Sequence, residues 1–120
     1  MAWNLDPRYV REDCYDQQLI ADAVPHVDEV LEARLSQLAR HPTSGLAVAG
    51  FPQMYVLNTR TFQVPTPAGP VGVPSLWIVY VLIPEDELIR PLYITRAANG
   101  NLQQLAVRAL QHFRRANTHF

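Results

Sequence analysis

Residues 76–95 read LWIVYVLIPEDELIRPLYIT, which is two apolar segments joined by a short acidic turn. The first segment, 76–83, is apolar at consecutive positions, as in a strand that is covered on both faces of a sheet. Pro84 and the three acids after it form a polar turn, and residues 88–95 return as the next strand. Pro91 has no N–H for the strand ladder, so it predicts either an edge position or a β-bulge.

Two segments upstream of this hairpin also have extended character. Residues 54–62 are rich in β-branched and aromatic side chains and predict a strand. The next segment, 64–74, holds four of the ten prolines together with two glycines. It predicts a long loop or a loose hairpin that turns at Ala68–Gly69.

Helices are predicted where apolar positions recur with a period of about 3.6 residues. A first helix is expected over residues 13–24, and Pro25 ends it. A second helix follows Pro25 and stops near residues 40–41, before a turn. A third helix follows Asn101, which is a suitable N-cap residue.

The resulting order is helix, helix, strand, loop, strand, strand, helix. It predicts an α+β fold in which a helix pair packs on a twisted antiparallel sheet of three to four strands, with an extra C-terminal helix. A chain of 120 residues is expected to form a single domain over 1–120. A domain of this size needs no metal or disulfide for stability.

The charges are few and unevenly distributed. The net charge is −1, and all ten basic residues are arginine. The lack of lysine excludes Schiff-base catalysis and leaves guanidinium groups, which suit phosphate and carboxylate. Residues 1–50 hold eight acids and four arginines, whereas 51–120 hold six arginines and three acids. A polyanion is therefore expected to prefer the C-terminal part.

Several kinds of site are not expected. The sequence has no glycine-rich phosphate loop and no His-Glu-x-x-His motif, and its histidines lack metal-ligand spacing, so we expect neither metal nor cofactor. The single cysteine, Cys14, is expected to be a buried thiol in a reducing compartment. No apolar run approaches the ~20 residues that span a bilayer, and no signal region opens the sequence. We therefore expect a cytoplasmic protein without a membrane partner.

Four stretches follow the strand and turn pattern of one known family. Residues 48–57 (VAGFPQMYVL) enter a strand through Gly and Pro, 76–80 (LWIVY) form the next strand, and 83–89 (IPEDELI) form an acidic turn. Residues 92–96 (LYITR) form a strand that closes on a basic residue. With the preceding helix pair, this pattern resembles the RelE/ParE toxin superfamily over about residues 18–97.

The resemblance implies a toxin that cleaves messenger RNA on the ribosome or poisons DNA gyrase. It also implies a cognate antitoxin as partner. Arg96 matches the basic residue after the last strand, which implies contact with the scissile phosphate through a charge-assisted bidentate pair. His119 is similar to the histidine near the C-terminus of some members, which acts as a general acid or base.

Other polar residues complete the candidate site. Arg60 lies near the end of the first predicted strand and is a further catalytic candidate. Depending on the strand order, it shares a sheet end with Arg96 or lies at the opposite end. Gln104, Arg108 and Arg115 lie on one face of the last helix and are candidate nucleic-acid contacts.

The chain departs from the family pattern at several positions. The basic residues that the family often carries on its second strand are Val56 and Asn58 here, and Trp77 stands where arginine is common. The family's first strand is not evident at residues 3–5.

Two other functions stay open from the sequence. The missing basic residues and the acidic N-terminal part favour a non-enzymatic module that forms a homodimer or binds a partner protein. The last helix, or an edge strand carrying Pro91, would supply its apolar surface. A small-molecule site between helices and sheet would depend on Trp77, Tyr80 and Tyr93, which are residue types more often found in the core.

Overall fold

A computed structural model describes residues 3–9, 11–96 and 101–116. In chain order the elements are β1 (Asn4–Leu5), α1 (Arg11–Cys14), α2 (Gln17–Ala21), α3 (Val27–Arg40), β2 (Leu46–Ala47), β3 (Met54–Asn58), β4 (Phe62–Val64), β5 (Val71–Val73), β6 (Trp77–Ile83), the 3₁₀ turn Pro84–Asp86, β7 (Leu88–Thr95) and α4 (Leu102–Ala116).

The main sheet has five strands in the order β1-β7-β6-β3-β2. The four strands from β7 to β2 pair antiparallel, which confirms the predicted α+β class, and β1 pairs with β7 in parallel. The sheet exceeds the predicted three to four strands because two short strands that were not predicted, β1 and β2, add to its two edges. The N–H of Asn4 donates to the carbonyl of Glu87, and the N–H of Asp6 donates to that of Ile89.

The predicted hairpin of β6 and β7 lies at the centre of the sheet. Val79 is opposite Tyr93 and Tyr80 is opposite Pro91, so Leu92 is the extra residue of a β-bulge. A bulge interrupts the ladder where the proline has no N–H to donate. Of the two positions predicted for Pro91, the bulge is therefore the one found, and β7 is not an edge strand.

The segment 54–62, predicted as one strand, ends early. β3 stops at Asn58, whose Oδ1 accepts a 2.7 Å hydrogen bond from the N–H of Arg60. Arg60 has a positive φ of 56°, and this side-chain turn directs the chain out of the sheet. The chain then forms a separate two-stranded sheet of β4 and β5. Its turn includes Gly69, as predicted, and the N–H of Gly69 donates to the carbonyl of Thr66.

The first predicted helix, 13–24, is divided into α1 and α2. Between them Tyr15 forms a parallel β-bridge with Ile94, and the N–H of Asp16 donates to the carbonyl of Ile94 at 2.9 Å. These backbone groups are satisfied by the edge of β7 and not by a continuous helix. α3 and α4 cover their predicted ranges. Asn101 Oδ1 accepts a 2.9 Å hydrogen bond from a backbone N–H of the first turn of α4, which confirms the N-cap.

Helices cover both faces of the main sheet. The core between α3 and the sheet includes Leu31, Leu35, Leu38, Ile78, Tyr80 and Ile94. The core between α4 and the sheet includes Leu105, Ala106, Ala109, Val56, Val79 and Leu92. Successive residues of β6 alternate between these two clusters, which explains why residues 76–83 are apolar without interruption.

Candidate functional site

The two predicted catalytic arginines lie at the same end of the main sheet. Asn58 at the end of β3 is opposite Trp77 at the start of β6, and Trp77 is opposite Thr95 at the end of β7. Arg60 and Arg96 follow β3 and β7, so the strand order brings both to this end. The backbones of Asn58 and Thr95 are two strand spacings apart, which is about 10 Å.

Arg60 is exposed and lines a cavity of about 540 Å³ beside this end of the sheet, which we term the strand-end cavity. Its lining includes Arg34, Ser44, Leu46, Asn58, Arg60 and Trp77. No acidic side chain is among the described residues that line it. The cavity therefore combines guanidinium groups with apolar and aromatic surface, which suits an anion that also carries a ring.

Arg34 was not among the predicted site residues, and its guanidinium is held in place. Nη1 donates to Oε1 of Gln37 at 3.1 Å, and Nη2 donates to the carbonyl of Thr59 at 2.9 Å. The guanidinium carbon lies 5.2 Å from the ring centre of Phe62, within cation–π range. Its Nε is buried with no hydrogen-bond partner among the described residues. Arg34 therefore fixes the turn after β3 and adds a stationary positive charge to the cavity wall.

Arg96 forms an ion pair at the surface. Its Nη1 lies 3.0 Å from Oδ2 of Asp22, which follows the last residue of α2. The two side chains are 43% and 32% exposed, and solvent-exposed pairs of this kind contribute only about 0–1 kcal/mol. A phosphate approaching Arg96 must compete with Asp22, and the weakness of the pair allows that exchange.

The positions where the resembled family often has basic residues have other roles here. Val56 is 1% exposed within the cluster beneath α4. Trp77 is half-buried against the same cluster, and Asn58 holds the turn to Arg60. An unpaired charge at Val56 would be costly to bury, so the packing of α4 explains why this position is apolar.

Two of the three predicted nucleic-acid contacts on α4, Arg108 and Arg115, border a different cavity. It has a volume of about 360 Å³ and lies between α4, the end of β7 and the α1–α2 segment; we term it the helix-face cavity. Its lining includes Asp13, Asp16, Tyr93, Arg108, His112 and Arg115. Gln104 is exposed on the first turns of α4 and is not among the residues that line it.

Contacts with Tyr93 and Asp13 fix two side chains of α4 at this cavity. Nη2 of Arg108 donates to the hydroxyl of Tyr93 at 3.1 Å, and its guanidinium lies 5.7 Å from the ring centre. Nε2 of His112 lies 2.6 Å from the carbonyl of Asp13, so Nε2 carries the proton that it donates. Sequence reasoning did not place His112 in a site. The signal was its spacing, four residues after Arg108 and three before Arg115, which puts all three on one helix face.

His119 lies outside the described residues. Burial raises the pKa of the Cys14 thiol to about 12, and the charges of Asp13 and Glu12 add to this, so Cys14 is the buried thiol that the sequence predicts. In the described ranges no group of three or more His, Cys, Asp or Glu side chains is placed to hold a metal. No helix there is long and apolar enough to cross a membrane.

Neither family models nor curated proteins give a match to this chain. Among solved structures, it is similar to the free-state structure of the E. coli toxin RelE, in a mutant with two arginines replaced by alanine. The TM-score is 0.51, and the alignment covers 90% of this chain and 97% of that chain. The chain has a RelE-like fold. At 18% sequence identity, this likeness concerns the architecture alone, with the C-terminal helix included.

Proposed function

We propose that this chain is a RelE-like toxin that binds RNA at the strand-end cavity and is neutralised by a cognate antitoxin. Arg60 lines this cavity, and Arg96 follows β7 at the same end of the sheet without being among the residues that line it. Both contact backbone phosphates, and Trp77 begins the strand that lies between β3 and β7. The observation that carries the proposal is a cavity at one end of a RelE-like sheet, with an exposed guanidinium and with no acidic side chain among its described lining residues.

The chemistry of these groups suits single-stranded RNA. Arginine binds a phosphate through two parallel N–H···O hydrogen bonds, and a guanidinium beside a scissile phosphate stabilises the charge that develops in the transition state. Unpaired bases stack on aromatic side chains, as Trp77 provides. These groups therefore fit single-stranded RNA; the resemblance to RelE/ParE toxins implies messenger RNA as the substrate, and His119 stays the predicted general acid or base.

The predicted contacts on α4 contribute less to this proposal. Arg108 and Arg115 share their cavity with Asp13 and Asp16, and carboxylates repel phosphate. Gln104, which is exposed beyond that cavity, stays a predicted nucleic-acid contact.

Induced expression in a bacterial host tests the activity. We expect growth arrest and cleavage of ribosome-bound messenger RNA, with Arg96→Ala and Arg60→Ala each relieving the arrest. Arg40→Ala is the matched control, because Arg40 is an exposed arginine at the end of α3 and follows neither β3 nor β7. Normal growth at high expression, without messenger-RNA cleavage or gyrase inhibition, would contradict the proposal.

Binding of an RNA oligonucleotide measures the arginine contacts separately from catalysis. We expect Arg96→Ala to weaken RNA binding, because one phosphate contact is lost. The slope of log affinity against log salt concentration should also fall in magnitude by about 1. Asp22→Asn should strengthen binding, because the competing carboxylate charge next to Arg96 is removed. If both variants bind like the wild type, Arg96 does not contact RNA.

A non-enzymatic partner-binding module on the same scaffold is the second candidate. It is favoured by Val56, which occupies a position often basic in the resembled family and is buried beneath α4. Light scattering coupled to size exclusion, over a range of concentrations, distinguishes the two candidates. A stable homodimer without growth arrest supports the module, and a growth-arresting monomer supports the toxin.

A further inference from the structure

The helix-face cavity separates two kinds of charge onto opposing elements. Asp13 and Asp16 come from α1 and the link to α2, whereas Arg108, His112 and Arg115 come from α4. A ligand in this cavity of about 360 Å³ therefore meets carboxylates on one side and guanidinium groups on the other.

The α4 side offers hydrogen-bond donors. Tyr93 is 4% exposed, and its hydroxyl oxygen accepts from Arg108 at 3.1 Å. Within the described ranges, the hydroxyl hydrogen of Tyr93 has no acceptor, so it is available to a group in the cavity. The Tyr93 ring and the hydrogen bond hold the Arg108 guanidinium at this wall. An anionic group of a ligand fits this side.

The α1–α2 side offers acceptors. Oδ2 of Asp16 accepts a 2.8 Å hydrogen bond from Thr95, and its Oδ1 accepts none from the residues that the structure describes. The carboxylate of Asp13 likewise accepts no hydrogen bond within residues 3–9, 11–96 and 101–116. An ammonium group, with three donors, fits this side.

From this arrangement we propose that the helix-face cavity binds a small zwitterion, whose ammonium contacts Asp13 and Asp16 and whose carboxylate or phosphate contacts Arg108 and Tyr93. A simple anion is repelled by the two aspartates, and a simple cation is repelled by the arginines. A molecule that carries both charges on a short chain satisfies both walls. This site is separate from the strand-end cavity and independent of toxin activity.

Titration of the isotopically labelled protein, followed by NMR, tests the proposal with two probes. 4-Aminobutyrate represents carboxylate zwitterions, and O-phosphoethanolamine represents phosphate zwitterions; the stronger binder identifies the anionic group. Butyrate, butylamine and inorganic phosphate each lack one of the two charges. We expect the zwitterions to shift the resonances of Tyr93 and His112 and to bind at least about tenfold more tightly than these controls, as expected for losing a charge-assisted hydrogen bond.

Two conservative variants assign the charges. Asp16→Asn keeps an acceptor for Thr95 and removes the carboxylate charge, so the fold is retained while affinity falls about tenfold. Arg108→Gln should weaken binding in the same direction, because Arg108 is the proposed contact of the anionic group. Asp86→Asn and Arg40→Gln are the matched controls, because both residues are exposed and neither lines this cavity.

Three outcomes would overturn the assignment. Inorganic phosphate or butyrate binding as tightly as the zwitterions would make this a simple anion site. Unchanged affinity of Asp16→Asn for the zwitterions would show that their ammonium group does not contact Asp16. Shifts of the Tyr93 and His112 resonances by an RNA oligonucleotide, with no response to either zwitterion, would assign this face to nucleic acid.

Discussion

Replacing Asp6 by asparagine tests how the N-terminal segment is held to the sheet. The Asp6 side chain is 1% exposed, and its Oδ2 lies 2.5 Å from Nε of Arg90 on β7. Its Oδ1 accepts a 3.0 Å hydrogen bond from the N–H of Arg8. The substitution keeps the shape of the side chain and removes the charge that pairs with Arg90.

The expected loss follows from these contacts. A hydrogen bond to a charged group contributes about 1.5–3 kcal/mol, and breaking a fully buried ion pair costs about 3–5 kcal/mol. The Arg90 side chain is 25% exposed, so water partly solvates its charge once the carboxylate is gone. We therefore expect Asp6→Asn to lower the free energy of unfolding by about 2–3 kcal/mol at pH 7.

The lowered pKa of Asp6 determines how its contribution to the free energy of unfolding changes with pH. Burial alone raises the pKa of Asp6, but hydrogen bonds from Arg8 and Arg90 and the charge of Arg90 outweigh it and hold the pKa below its ordinary value. A carboxyl with a lowered pKa stabilises the fold above its unfolded pKa of about 3.9 and loses that effect as pH falls through the folded value. The difference between wild type and Asp6→Asn should therefore be constant above about pH 5 and shrink below about pH 4.

Urea unfolding at several pH values measures this difference. Asp86→Asn is the control, because Asp86 is exposed in the 3₁₀ turn and its replacement should change stability by less than about 0.5 kcal/mol. If Asp6→Asn behaves like this control, or if the difference grows on acidification, the ion pair does not anchor β1.

Three further predictions concern single contacts. Tyr80→Phe should lower the free energy of unfolding by about 1–3 kcal/mol, because the Tyr80 hydroxyl donates to the carbonyl of Pro42 at 2.7 Å and accepts from the N–H of Gly45 at 3.1 Å; a urea midpoint like that of the wild type would contradict this. Cys14, with its raised pKa, should react with a thiol reagent at pH 8 only after unfolding, and rapid labelling of the native protein would show that the thiol is accessible. Asn101→Ala should cost about 1 kcal/mol through loss of the α4 cap, whereas Asn101→Ser should be nearly neutral; equal thermal stabilities for the two variants would argue against the cap.

Local patterns were sufficient to predict the elements that form the core. The unbroken apolar run of β6 reflects two packed faces, and the period of α3 reflects one face against the sheet. The bulge at Pro91 followed from a missing N–H, and the cap at Asn101 from a local side-chain acceptor. Each of these features depends on residues within a few positions of one another or on the burial of a whole face.

Features that depend on distant partners were not predictable in the same way. The division between α1 and α2 depends on Ile94, about 80 residues away in the chain, which pairs with Tyr15 and Asp16. β1 is two residues long and carries no periodic signal, yet Asp6 and Arg90 fasten it to β7. The helix-face cavity likewise combines charges from two ends of the sequence, so only the fold reveals that they face each other.

The packing of α4 limits where the proposed RNA contact can lie on this chain. Val56 is 1% exposed in the apolar cluster that α4 covers, so this position of the sheet face cannot contact a phosphate. The exposed strand end, with Arg60 and Arg96, is the part of this region that keeps positive charge near solvent. A double Arg60→Ala/Arg96→Ala variant that retains full RNA affinity would therefore place the RNA surface elsewhere. One that loses affinity but not stability would place the RNA contact at the strand end.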